Sequence, residues 1–174
     1  MAASAGCHPQ LLQAVMDINQ SARDRFVEKV ITLLGNLTGK CVGVLGLSFK
    51  PNTDDMREAP SVDIIRALLR EGARIKAYDP VAMERAAEII PEITFCRTAY
   101  DVAKEADALL IITEWNEFKQ LDWDKIKGFM NQPVVLDGRN IYEPAEMAAR
   151  GFVYCGVGRG SQPVLAAQGE DRLR

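Results

Sequence analysis

Apolar residues follow two different rhythms along this chain. From Pro9 to about Asn36 they recur every three or four positions, at Leu11, Val15, Ile18, Ala22, Phe26, Val30 and Leu33, the spacing of one face of an α-helix. Pro9 suits the first turn of that helix. At 1.5 Å per residue it would extend about 40 Å, more than a small domain needs to cover its own sheet. Part of the stripe is therefore expected to meet another domain or subunit, the simpler alternative being a core helix with a mobile first turn.

Beyond Leu37-Thr-Gly-Lys40 the pattern alternates. Short apolar runs rich in β-branched residues read as strands at 41–48, 73–78, 93–96, 107–113, 133–137 and 152–156. Between them, helical spacing predicts helices over 60–71, 81–89, 98–105, 116–120, 122–130 and 144–149. Strands separated by helices form a doubly wound, mainly parallel sheet, so the fold class is α/β, Rossmann-like, preceded by a long α-helix. The punctuation agrees. Gly72 stands where the helix ending at Glu71 should stop, and Asp79-Pro80 predicts the start of the next with an acidic cap and a proline. The chain divides into a leading helix (9–36), a sheet domain (37–160) and a polar tail (161–174) expected to be disordered.

Composition narrows the classes. With 174 residues, 48% of them hydrophobic, the chain can bury one sizeable core, and a net charge of −3 gives no general attraction to nucleic acid or acidic membranes. No apolar run approaches a membrane span, and Met1 to Pro9 has neither the basic start nor the apolar core of an export signal, which reads as a cytoplasmic protein. Four cysteines without a C-x-x-C pair, and His8 as the single histidine, argue against a disulfide framework or a metal site. Cys7 beside His8 reads as part of a frayed terminus in preference to a nucleophile and its base. Cys41, Cys96 and Cys155 read as small buried hydrophobes.

The candidate chemistry lies at strand ends. The segment from Gly43 to Ser61, GVLGLSFKPNTDDMREAPS, runs from strand to helix, and open α/β sheets bind ligands at the carboxyl ends of their strands. Its loop is too long for a dinucleotide turn. Instead it offers Lys50, Thr53 and Arg57 to anionic oxygens, with Asp54, Asp55 and Glu58 to hold the cations or accept sugar hydroxyls. The alternative is a solvated, charged loop capping a helix. Two more groups reach the same edge, Thr113-Glu114-Trp115 and Asp137-Gly138-Arg139-Asn140. Arg139 suits phosphate or carboxylate, or else pairs structurally with Asp137 or Glu143. Trp115 is read as packing over its strand end more than stacking on a base. Asp79 stands where a ribose-binding acid would stand in a dinucleotide fold, and helix capping is the preferred explanation.

With these residues in view, the sequence resembles the C-terminal domain of the nucleotide-sugar dehydrogenases, and among them the UDP-glucose 6-dehydrogenases. The likeness runs from about Pro9 to Gly158. It is carried by GLSFKPNTDDMREAPS from Gly46, YDP from Tyr78, TEW from Thr113 and DGRN from Asp137. The resemblance implies oxidation of the C6 alcohol of UDP-glucose to a carboxylate by two NAD, through a cysteine thioester, giving UDP-glucuronate. It further implies that Phe49, Lys50 and Arg139 bind the UDP-sugar, that Arg57 reaches NAD across an interdomain cleft, and that the leading helix ends a central region contributing a homodimer contact. The family's NAD-binding domain and catalytic-cysteine segment have no counterpart here. The chain is accordingly expected to be part of a longer enzyme, with no catalytic residue of its own and no turnover alone. The alternatives are a UDP-N-acetyl-hexosamine or GDP-mannose dehydrogenase domain, or a nucleotide-binding module without catalysis.

Overall fold

The computed structural model describes residues 10–159, leaving Cys7, His8 and the tail from 161 outside the described residues. Helix α1 (Gln10–Leu34) leads into six strands: β1 (Cys41–Leu45), β2 (Arg74–Tyr78), β3 (Thr94–Phe95), β4 (Ala108–Ile111), β5 (Val134–Asp137) and β6 (Val153–Gly156). Helices α2 (Pro60–Arg70), α3 (Met83–Ile89), α4 (Ala99–Ala103), α5 (Trp123–Phe129) and α6 (Pro144–Ala149) fall between them, with a 3-10 turn at Phe118–Gln120. All six strands are parallel, in the order β3-β2-β1-β4-β5-β6. That order reverses direction between β1 and β4, the switch point at which such sheets open a crevice.

The central strands are apolar on both faces because both faces are covered. Val42, Val44, Leu110 and Leu136 pack with Val30, Ile65 and Leu68 on the side of α1 and α2. Leu45, Leu109, Ile111 and Val135 pack with Val102, Ile126 and Phe152 on the side of α4 and α5. The two-residue alternation along each strand thus assigns neighbouring side chains to opposite cores.

Several boundaries differ from the sequence expectation, strand 107–113 shortening to Ala108–Ile111 and helix 116–120 to a 3-10 turn among them, and three have a clear local reason. Strand β1 ends at Leu45 because Gly46 turns to φ +89°, where its N–H donates to the Tyr78 carbonyl at 2.9 Å. Helix α4 is one short turn, opened by Thr98, whose side chain accepts from the Asp101 amide, and followed by Glu105 at φ 58°. Helix α3 starts at Met83, four residues past Asp79, so Asp79-Pro80 does not begin that helix.

Helix α1 has 25 residues and extends about 37 Å. Only its last three turns are anchored, through Phe26, Val30 and Leu34. Its first turns stand clear of the domain, with Leu11 81% and Ile18 63% exposed.

Candidate functional site

The loops after β1, β4 and β5 meet at the carboxyl edge of the sheet, and a buried carboxylate ties two of them together. Asp79, at the end of β2, is fully buried. Its Oδ2 accepts from the Leu47 amide (2.7 Å), the Ser48 amide (3.0 Å), the Ser48 hydroxyl (3.1 Å) and Trp115 Nε1 (3.1 Å). Its Oδ1 accepts from the amides of Val81 (3.0 Å) and Ala82 (2.8 Å). Burial works against the charge, but the amide donations outweigh it, so the carboxyl stays below the usual range. The residue caps a turn ahead of α3 and knots β1, β2 and β4. Both oxygens are occupied, so it is not placed to take a ribose hydroxyl, and Trp115, 7% exposed, packs over the strand end as expected.

The Gly46 turn itself lies against β4: a Cβ at Gly46 would come within 2.5 Å of Thr113 Cβ. Thr113 Oγ1 donates to the Ser48 carbonyl at 2.6 Å, and Ser61 Oγ donates to the Leu47 carbonyl. From this base the loop folds on itself, with the Phe49 amide donating to the Asp55 carbonyl at 2.9 Å and Asn52 and Glu58 at positive φ. Phe49 is 48% exposed. Lys50 is exposed and has no hydrogen-bond or ion-pair partner among the described residues. Arg57 lies across Asp55, Nε at 2.9 Å from Oδ1 and Nη2 at 2.8 Å from Oδ2. Those side-chain bonds, with a further one from the Arg57 amide, hold the Asp55 carboxyl well below its ordinary range.

At the end of β5 a second buried carboxylate repeats the device. Asp137 Oδ1 accepts from the Arg139 amide at 2.9 Å. Its Oδ2 accepts from the amides of Ile141 (2.8 Å) and Tyr142 (3.2 Å) and from the Tyr154 hydroxyl (2.8 Å). Gly138 is needed for close approach, since a Cβ there would lie 2.9 Å from the Ile111 carbonyl oxygen. Asn140, at φ 55°, closes the loop by bonding Val157 twice: its Nδ2 donates to the carbonyl (2.9 Å) and its Oδ1 accepts from the amide (3.0 Å). The Arg139 side chain pairs with neither Asp137 nor Glu143. It pairs with Glu114, Nη2 to Oε1 at 2.8 Å and Nε to Oε2. This pairing lowers the Glu114 carboxyl and raises the guanidinium.

Phe49 and Arg139 line one cleft of about 350 Å³, together with Arg23, Phe26, Pro60 and Ile112. Arg23 belongs to α1, where it pairs with Asp63 and reaches the Glu58 carbonyl at 3.3 Å, so the helix forms one wall of the cleft. Arg57 lies apart. It lines a second depression with Thr53, Asp54, Arg85 and Glu88. Two participants were not singled out from the sequence in these roles. Glu114 was grouped with its strand end but not matched to Arg139, 25 positions away, and Arg23 lay unmarked in the helix.

The other candidates are structural. Cys41 and Cys155 are buried and Cys96 half-buried, and burial pushes the Cys41 and Cys96 thiols up, away from the thiolate a nucleophile needs. Among the described residues, no cluster of three or more His, Cys, Asp or Glu side chains could hold a metal, and no helix is long and apolar enough to cross a membrane.

Comparison with known proteins bears directly on this edge. The UDP-glucose 6-dehydrogenase TuaD of Bacillus subtilis is 42% identical over 160 residues, covering 91% of this chain and 35% of that protein. The UDP-glucose 6-dehydrogenase of Pseudomonas aeruginosa is 44% identical over 161 residues, covering 88% of this chain and 36% of its own. A solved structure of a UDP-glucose dehydrogenase from the archaeon Pyrobaculum islandicum superposes with a TM-score of 0.75 at 33% identity, covering 89% of this chain and 34% of that one. The chain thus spans about a third of the length of the relatives it matches. The UDP binding domain of the UDP-glucose/GDP-mannose dehydrogenase family matches residues 43–144, from within β1 through the Asp137 loop, and the chain belongs to that family.

Proposed function

We propose that this chain is the UDP-sugar-binding part of an NAD-dependent UDP-glucose 6-dehydrogenase, which oxidises the C6 alcohol of UDP-glucose to the carboxylate of UDP-glucuronate. The observation that carries the reading is that Phe49 and Arg139, from loops 90 positions apart in sequence, line one cleft at the switch point of the sheet. Lys50, next to Phe49 in sequence though not among the residues lining that cleft, adds a cation with no partner among the described residues. Lys50 and Arg139 face the diphosphate, and Phe49 provides an apolar surface against the sugar or base. Binding the nucleotide so far from C6 fixes the sugar without touching the reacting carbon, which places the energy of recognition in orientation.

The residues of this sheet do not fit a dinucleotide of their own. The first crossover is a long loop instead of a tight glycine turn, and Asp79 has no free oxygen for a ribose. NAD supplies the hydride acceptor from a site outside this sheet, and Arg57, with its side chain 90% exposed, is the residue of this chain that meets it. Helix α1 connects this domain to the rest of the enzyme, and its exposed stripe at Leu11, Val15 and Ile18 forms a homodimer contact. A cytoplasmic setting fits the free cysteines.

An amide-resolved NMR titration of the chain with UDP-glucose, GDP-mannose and NAD in parallel tests the reading. UDP-glucose should shift resonances within Gly46–Arg57 and Asp137–Asn140 selectively. An equal or stronger response to GDP-mannose would transfer the assignment to that branch of the family, and silence toward all three would refute a surviving half-site.

A further inference from the structure

A guanidinium has two hydrogen-bonding edges, a side edge of Nε and one Nη and an end edge of both Nη atoms. Glu114 takes the side edge of Arg139, with Oε2 accepting from Nε and Oε1 accepting from Nη2 at 2.8 Å. Nη1 has no partner among the described residues, so the end edge is free, and Arg139 lines the cleft it shares with Phe49. The carboxylate is itself well placed, because both its sequence neighbours are pinned. Thr113 Oγ1 donates to the Ser48 carbonyl at 2.6 Å and Trp115 Nε1 to Asp79 at 3.1 Å. An arginine arm without such a partner keeps its rotamer freedom until a ligand orders it.

From this juxtaposition we infer that Glu114 is a positioning residue: it holds the side edge of Arg139 so that the end edge is ready for an incoming diphosphate, without touching the ligand itself. The inference rests on the reading of the cleft as a UDP-sugar half-site. Both side chains are about a third exposed, 36% for Arg139 and 33% for Glu114, so the pair contributes little to folding and its effect is on orientation.

Glu114 also repels a bound phosphate, and the test has to separate that effect from position. Glu114→Gln and Glu114→Ala remove the same charge, but only glutamine keeps an acceptor for the guanidinium. The full chain and both variants are titrated with UDP while the Arg139 Nε–H resonance is followed by NMR. That resonance should be sharp and slow to exchange with water in the wild type and the glutamine variant, and lost in the alanine variant. Glu114→Ala should bind UDP about three- to tenfold more weakly than Glu114→Gln, the effect of leaving one long side chain to be ordered by the ligand. The gap should vanish when Arg139→Ala is added to both. Equal affinities of the two variants, or a gap that persists without Arg139, would overturn the inference and leave the UDP site standing. A wild-type chain silent to UDP would remove both.

Discussion

Replacing Asp79 by asparagine is expected to destabilise the domain by about 3–5 kcal/mol while leaving its shape almost unchanged. The magnitude follows from the donors. The carboxylate accepts from four backbone amides, one hydroxyl and one indole in a site with no solvent exposure. An asparagine can keep its oxygen toward Leu47, Ser48 and Trp115, and its NH2 group then faces the amides of Val81 and Ala82, donor against donor. The buried Ala82 amide and the part-buried Val81 amide lose their acceptor, at about 1–3 kcal/mol for the buried one and less for the other, and the new NH2 has nothing to donate to. The opposite orientation orphans four donors and is worse. For a domain of this size the loss corresponds to a fall in Tm of roughly 10 °C.

The assay is thermal or guanidinium unfolding, with the indole N–H of Trp115 as a local reporter. Wild-type Trp115 Nε1 is bonded to Asp79, whereas Trp123 Nε1 has no hydrogen-bond partner among the described residues, so the two indole protons should differ in shift and in exchange rate. The variant should bring the Trp115 proton into faster exchange. The same carboxyl carries a pH dependence of definite sign. Its folded pKa is depressed, so its contribution is present above the unfolded value and is lost as pH falls through the lower, folded one. Stability should therefore decline on acidification in the wild type more steeply than in Asp79→Asn. A loss below about 1 kcal/mol in the variant, with Trp115 exchange unchanged, would refute the account of Asp79 as the knot of the site.

Lys50→Ala should leave Tm unchanged, because Lys50 is exposed with no partner among the described residues, and should weaken UDP binding by about tenfold in calorimetry, as loss of one charge-assisted phosphate contact. Leu110→Ala, at a fully buried position of the central strand β4, should cost about 3–4 kcal/mol in denaturant unfolding with no change in the m-value. Leu11→Asp combined with Ile18→Asp should abolish any concentration-dependent dimer seen by light scattering while leaving Tm at low concentration unaltered, since both positions stand clear of the domain. A dimer that survives both changes would place the contact elsewhere.

The fold was legible because its signals are local: apolar runs bounded by glycine and proline, helical spacing between them, and strand ends that necessarily share an edge in a parallel sheet. The site was legible only to the level of loops. Asp79 shows the limit. Next to Pro80 it looks like a helix cap, yet four of its six donors come from residues 31 to 36 positions away in sequence, and nothing in its own neighbourhood reports them. Arg139 shows it again, since Asp137 and Glu143 are near in sequence while the partner, Glu114, is brought alongside only by the pairing of β4 with β5. Arg57 and Phe49 share a loop, but the fold of that loop around Asp55 turns them into separate depressions.

Both buried aspartates, Asp79 and Asp137, do for the loops what a ligand does in less ordered sites. Each stands at a strand's carboxyl end and satisfies amides that would otherwise wait for an anion, so the loop backbones are set before any ligand arrives. On the proposed reading, what remains for the ligand is side-chain charge, Lys50 and the end edge of Arg139, in a neighbourhood that also holds Asp54, Asp55, Glu58 and Glu114. With a chain charge of −3 there is no broad positive field to draw a dianion in from a distance. Recognition must then come from contact and be lost with contact. Its strength should lie in the dissociation rate, its salt dependence should reflect two cations and no more, and a half-site open on one side should hold UDP weakly even though its backbone is already in place.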